Sequence, residues 1–195
     1  ANGLLKLGVK KGDRVFLLLE NSLEYIVTYF GIVKTGAIAV PVDPKYKADE
    51  VTALINDCEP KILVTESPLF DPLIPLLPFY KSVEKVIDLS SKYKGSYLTY
   101  EEIVSSNPDN PVKFESAPDD VANISYTAGP SFHPHGAALT HRGIEVEAQV
   151  SAEGFGMTDK DVVALFALPL HHSAGLIIVL LTTLSQGGTV IMLAG

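Results

Sequence analysis

Arg14-Val15-Phe16-Leu17-Leu18-Leu19 is a short apolar run, and Asn21-Ser22-Leu23-Glu24 follows it almost at once. An uninterrupted apolar run of that length is the pattern of a strand buried on both faces. Asn21 with Glu24 three residues on has capping-box spacing, so a helix is predicted to open there, with Asn21 at the cap. Ile26, Phe30 and Val33 give it an apolar face at helical spacing, and Gly36 ends it in the left-handed conformation. Ala37-Ile38-Ala39-Val40 then reads as a second strand, stopped by Pro41. Strand, helix and strand in this order require a right-handed crossover and parallel pairing.

The same alternation continues along the chain. Asp49 to Asp57 reads as a helix, Lys61 to Thr65 and Val83 to Leu89 as strands, and Asp120 to Tyr126 as a strand entering a turn-rich loop. Thr140 to Glu153 is predicted helical and Val162 to Ala167 a strand. Ser173 to Leu184 is predicted as a helix capped by Ser173, and Thr189 to Leu193 as a last strand. The expected class is α/β, with layered, mostly parallel sheets flanked by helices. Ser67 to Tyr80 carries Pro68, Pro72, Pro75 and Pro78 without flanking Arg, which fits a structural turn-and-cap segment better than a polyproline ligand.

Composition removes several classes of function. The 195 residues hold 15 Lys plus Arg against 23 Asp plus Glu, a net charge of −8, so no basic stripe is available to displace counterions from nucleic acid. A single cysteine, Cys58, excludes an internal disulfide framework and a Cys-based zinc site, and it reads as a small core hydrophobe. The clean apolar run Leu176 to Leu181 is far short of the ~20 residues needed to span a bilayer. No signal or transit peptide stands at Ala1, and a cytoplasmic protein is expected. The chain starts without Met and stops at Gly195 inside a predicted strand, so both ends are expected to be cuts. Charged residues make up 19%, against a typical ~25%, which suits a surface partly covered by chain beyond this sequence.

Parallel sheets bind ligands at the carboxyl ends of their strands, which points to two loops. The first is Tyr126-Thr127-Ala128-Gly129-Pro130-Ser131-Phe132-His133-Pro134-His135-Gly136. Strand, glycine- and hydroxyl-bearing loop, then helix is an arrangement that can cradle phosphate on backbone N–H groups. With two prolines and no Lys it is not a Walker loop, and composition alone favours an ordinary long surface loop over a phosphate cradle. The second is Leu168-Pro169-Leu170-His171-His172-Ser173-Ala174-Gly175. Adjacent histidines rarely point to one spot and no third ligand lies nearby, so a His lining an apolar pocket beside a helix N-terminus reads better than a metal site, and a satisfied core His reads best on the local residues.

At these loops the sequence resembles the N-terminal part of the AMP-forming adenylating enzymes: acyl-CoA synthetases, luciferases and peptide-synthetase adenylation domains. The likeness runs along nearly the whole chain. Gly8 to Val15, Asn21 to Tyr25, Tyr29 to Ala37, Pro41-Val42-Asp43-Pro44 with Glu50, Leu139 to Gly143 and Pro169 to His172 carry it. The resemblance implies that residues 1–195 are part of the N-terminal domain of such an enzyme. It implies ATP-dependent activation of a carboxylic acid, expected to be fatty, to an acyl-adenylate, with Mg²⁺ as cofactor and transfer to coenzyme A. It implies that Thr127, Gly129, Ser131, His135 and Gly136 hold ATP phosphates and that His172 lines the acid pocket. Parts of the family's machinery lie downstream, so this chain is expected to be inactive alone.

The family's phosphate loop reads Tyr-Thr-Ser-Gly-Thr-Thr-Gly-x-Pro-Lys-Gly. Here Ala128, Pro130, Phe132 and His135 depart from it, and His171 replaces the usual aromatic in the pocket motif. Pro130 removes an N–H donor, Phe132 removes conformational freedom and adds bulk, and His135 puts an imidazole where the family has a lysine ammonium. A divergent but working loop and a relative that binds without turnover are both compatible with these changes, as is a peptide-synthetase adenylation domain.

Overall fold

The computed structural model describes residues 1–114, 116–127, 135–157 and 162–193, with the side chain of Thr127 left out. Among these residues the first strand is central, as its double-sided apolar run requires. β1 (Arg14–Leu18) pairs in parallel with β2 (Ile38–Pro41) on one side and β3 (Ile62–Thr65) on the other. β4 (Lys85–Asp88) and β5 (Leu98–Thr99) extend the sheet beyond β3 in the same direction. β6 (Val121–Thr127) joins β2 in parallel, and β7 (His135–Thr140) closes that edge antiparallel to β6. The order is β5-β4-β3-β1-β2-β6-β7. A second, parallel pair is formed by β8 (Val163–Phe166) and β9 (Thr189–Met192).

Alternation along β1 sorts the core into two layers. Val15 and Leu17 point with Ala39, Ile62, Val64 and Ile87 toward Tyr25, Tyr29 and Ile32 of α2 (Leu23–Val33). Phe16 and Leu18 point the other way with Val40, Leu63 and Val86, toward Val51, Leu54 and Ile55 of α3 (Ala48–Cys58). Helices on both faces of a parallel sheet hide β1, β2 and β3 from water, which is why these strands read as continuous apolar runs rather than alternating ones. The expected layered α/β architecture is therefore the one found.

Several local readings are corrected. The cap of α2 is Ser22, whose extended backbone lets Oγ accept from the Tyr25 N–H at 3.0 Å; Asn21 lies one residue outside. The proline-rich segment winds as a 3-10 helix, Asp71–Phe79. The strand expected to lead through a loop directly into a helix instead turns back as β7, and α5 (His141–Gly154) starts only after it, capped by Thr140. Past Ser173 the chain winds as a π-helix, Ala174–Leu181, before α6 (Thr182–Ser185). Ser173 does not cap this run, because its own backbone is already helical and a cap residue needs an extended one. The short α1 (Asn2–Lys6) and α4 (Tyr100–Ser105) have no strong apolar periodicity and were not foreseen. Gly36 does take the left-handed conformation, at φ +74°, and a Cβ there would strike the Phe114 ring.

Candidate functional site

Parallel pairing brings the carboxyl ends of β1, β2, β3 and β6 to one edge of the sheet. Glu20 and Asn21 follow β1, Asp43 follows β2 and Glu66 follows β3. Glu66 accepts the Glu20 N–H at 2.7 Å. Burial pushes the Glu66 carboxyl above its ordinary range, against the pull of that hydrogen bond.

The first predicted loop leaves this edge at Thr127, the last residue of β6. The β6–β7 ladder sets Thr127 opposite His135 and Tyr126 opposite Gly136, so the two ends of the loop are held side by side. His135 is exposed at the start of β7. Gly136 has a steric reason to be glycine: a Cβ would lie 2.7 Å from the Ile124 methyl and 3.2 Å from the Tyr126 ring. Tyr126 donates its hydroxyl to the Asp57 carboxylate, tying the root of the hairpin to α3. Gly129 and Ser131 lie outside the described residues, as do Ala128, Pro130 and Phe132. The interposed β7 corrects the phosphate-cradle reading in one respect. The N-terminus of α5 does not follow the loop, and its first N–H groups are taken: His141 and Arg142 donate to the Asp120 and Pro118 carbonyls and Gly143 to Thr140 Oγ1 at 3.1 Å.

The second predicted loop is docked on the same edge by side chains from the start of the chain. Asn21 Nδ2 donates to the Leu168 carbonyl at 2.8 Å, and Asn21 Oδ1 accepts the Leu170 N–H at 2.8 Å. Tyr25, fully buried, donates its hydroxyl to the Leu170 carbonyl at 3.2 Å. The Leu170 side chain is buried among Tyr25, Leu176 and Ile177. Beneath the loop, Gly175 comes so close that an added Cβ would lie 2.1 Å from the Pro169 carbonyl oxygen.

This docking presents the two histidines differently. His171 is half-buried with Nε2 3.6 Å from Asp43 Oδ2, too far for a hydrogen bond. Burial holds its imidazole below the ordinary range; Asp43 pulls the other way and His172 adds to the depression. A neutral ring therefore faces Asp43 near neutral pH. His172 is exposed, and its Nδ1 accepts the Ala174 N–H at 3.1 Å. With Nδ1 as acceptor, a neutral ring carries its proton on Nε2, which is free to donate outward. Among the described residues no three His, Cys, Asp or Glu side chains converge as a metal site. No helix among them is long and apolar enough to cross a membrane.

The structure thus brings His172, the end of β6 and the start of β7 toward one sheet edge. Sequence reasoning missed Asn21, Tyr25 and Asp43. One signal was legible: Asn21 and Ser22 can both cap a helix, and a single cap leaves the other free.

The whole chain, residues 1–195, matches the family model described as AMP-binding enzyme. A long-chain-fatty-acid–CoA ligase, FadD13, of Mycobacterium tuberculosis is 30% identical over 191 residues, covering 98% of this chain and 37% of the relative. The 4-coumarate-CoA ligase 1 of Narcissus pseudonarcissus is 31% identical over 194 residues, covering 98% of this chain and 35% of the relative. Among solved structures, ATP-bound MatB from Rhodopseudomonas palustris superposes with a TM-score of 0.85 at 27% identity, covering 99% of this chain and 37% of that one. The chain spans little more than a third of the length of these relatives.

Proposed function

Because the chain belongs to the AMP-binding enzyme family, we propose that its protein is an acid–CoA ligase of which residues 1–195 form the first part of the N-terminal domain. The reaction is adenylation. A carboxylate oxygen attacks the α-phosphorus of ATP, the bond to the β-phosphate breaks, pyrophosphate leaves and an acyl-adenylate remains. A coenzyme A thiolate then takes the acyl group and releases AMP. One observation carries the reading: the loop Leu168–His172 is fastened to the strand edge from which β6 leads into the phosphate-loop segment.

His172 has the chemistry for the acid, since a neutral ring held at Nδ1 by the Ala174 N–H offers an Nε2–H to a carboxylate. Thr127, Gly129, Ser131, His135 and Gly136 are proposed to contact the phosphates, with His135 as a weaker substitute for a lysine. Mg²⁺ would arrive with the nucleotide rather than in a cage of these residues. The acid is proposed to be fatty or otherwise apolar; one relative is named for long-chain fatty acids and another for 4-coumarate. The residues absent from this chain are proposed to be required for turnover. Exposed apolar side chains on the second sheet, Val163 at 60% and Leu165 at 64%, support a larger protein packing there.

ATP–pyrophosphate exchange by the full-length protein, with a panel of fatty and aryl acids, tests the proposal. Acid-dependent exchange followed by CoA thioester formation is the expected result. Absence of exchange with every acid, unrelieved by His135→Lys with Phe132→Gly, overturns it in favour of a relative that binds without turnover.

A further inference from the structure

Asn21 spends its whole amide on two backbone groups of a loop far along the chain. It donates to the Leu168 carbonyl and accepts from the Leu170 N–H, both at 2.8 Å. The two bonds bracket Pro169, which has no N–H of its own and cannot be held by a donor bond. Tyr25, one helical turn on, holds the Leu170 carbonyl, two residues past that of Leu168. These three bonds reach the backbone immediately before His171 and His172. No cap function competes for Asn21, because Ser22 already satisfies the Tyr25 N–H.

We propose that Asn21, assisted by Tyr25, is a positioning residue that sets His172 at the acid site. The inference rests on the acid–CoA ligase reading above. Rigid carriage of a binding group matters because a displacement near 1 Å at a reacting centre can cost on the order of 100-fold. Both residues act through the loop backbone rather than on substrate. Removing them is therefore expected to affect the acid and spare ATP.

The test compares full-length wild type with Asn21→Ala, Asn21→Asp and Tyr25→Phe. Asn21→Asp keeps an acceptor for the Leu170 N–H but sets a carboxylate against the Leu168 carbonyl. Hydrogen–deuterium exchange of a peptide covering 168–172 reads the clamp without activity, and the Leu170 amide is expected to exchange faster in all three variants. In pyrophosphate exchange, KM for the acid is expected to rise about tenfold in Asn21→Ala, and less in Tyr25→Phe, with KM for ATP unchanged. If Asn21→Ala cannot be purified, the other two variants decide. Unchanged exchange at 168–172 overturns the clamp. Faster amide exchange with KM for acid and ATP altered alike, or neither altered, overturns the positioning role. A wild-type protein silent with every acid removes the ligase reading and the role given to Asn21 with it, and the amide data then show which part failed.

Discussion

Gly175→Ala is the substitution at which two physical effects oppose each other most clearly. In an ordinary helix the change is favourable by up to about 1 kcal/mol, because alanine has less backbone entropy to lose. Here the new Cβ would lie 2.1 Å from the Pro169 oxygen and 2.9 Å from its carbonyl carbon. Ordinary contact begins at 3.4 Å, so backbone must retreat by about 1.3 Å. The obstacle is a peptide group fixed on its far side by Asn21 and Tyr25, not the end of a flexible side chain. Overpacking of this kind costs about 1–3 kcal/mol. The clash therefore wins, and a net loss of about 1–2 kcal/mol is expected. Gly154→Ala is the matched control: Gly154 ends α5, and a Cβ there meets nothing within 4 Å. Urea unfolding of the full-length protein followed by circular dichroism reads the difference. Gly175→Ala should lower the midpoint and Gly154→Ala should hold or raise it. Equal midpoints for Gly175→Ala and wild type would refute the argument that the loop backbone is pinned.

Glu66→Gln keeps an acceptor for the Glu20 N–H and removes a charge that burial disfavours. With its folded pKa raised, the stability Glu66 contributes is present below the unfolded value and lost as pH rises through the folded one. The variant should therefore melt above wild type at neutral pH and lose that advantage in acid. His171 is the opposite case. Burial lowers its pKa, so its contribution is present above the unfolded value and lost as pH falls through the folded one. His171→Phe should melt progressively higher than wild type as pH is lowered from about 8 to about 5, and a constant difference would contradict the burial argument. Burial pushes the Cys58 thiol up to about 12, so a disulfide reagent at pH 8 should label it only as α3 opens; rapid labelling of the folded protein would show the helix seated differently.

The βαβ core was legible because propensity and apolar pattern agree on strand, helix and strand from Arg14 to Pro41; only the residue that caps the helix was misplaced, by one position. The edge was less legible. His135 and Gly136 read as the end of the loop, Ala137 to Leu139 carry weak strand preference and Thr140 reads as the start of a helix; only the ladder to β6 makes these residues a strand. Asn21 was read from its neighbours in sequence, where it looks like a cap, while its partners lie at Leu168 and Leu170. His172 was named from resemblance, but its outward Nε2 follows from the Ala174 N–H, which spacing could not reveal.

The bonds from Asn21 to the pocket loop also carry a consequence in time. Asn21 and Leu170 are 149 residues apart in the chain. At roughly 5–20 residues per second, a ribosome delivers the second partner about 7–30 s after the first. During that interval β1 to β4 can be made and can pair, since their contacts are among near neighbours in sequence, while the Asn21 amide has only water to bond. The clamp is thus closed only after β1 to β4 are made, and the framework that receives the loop is built before the loop exists.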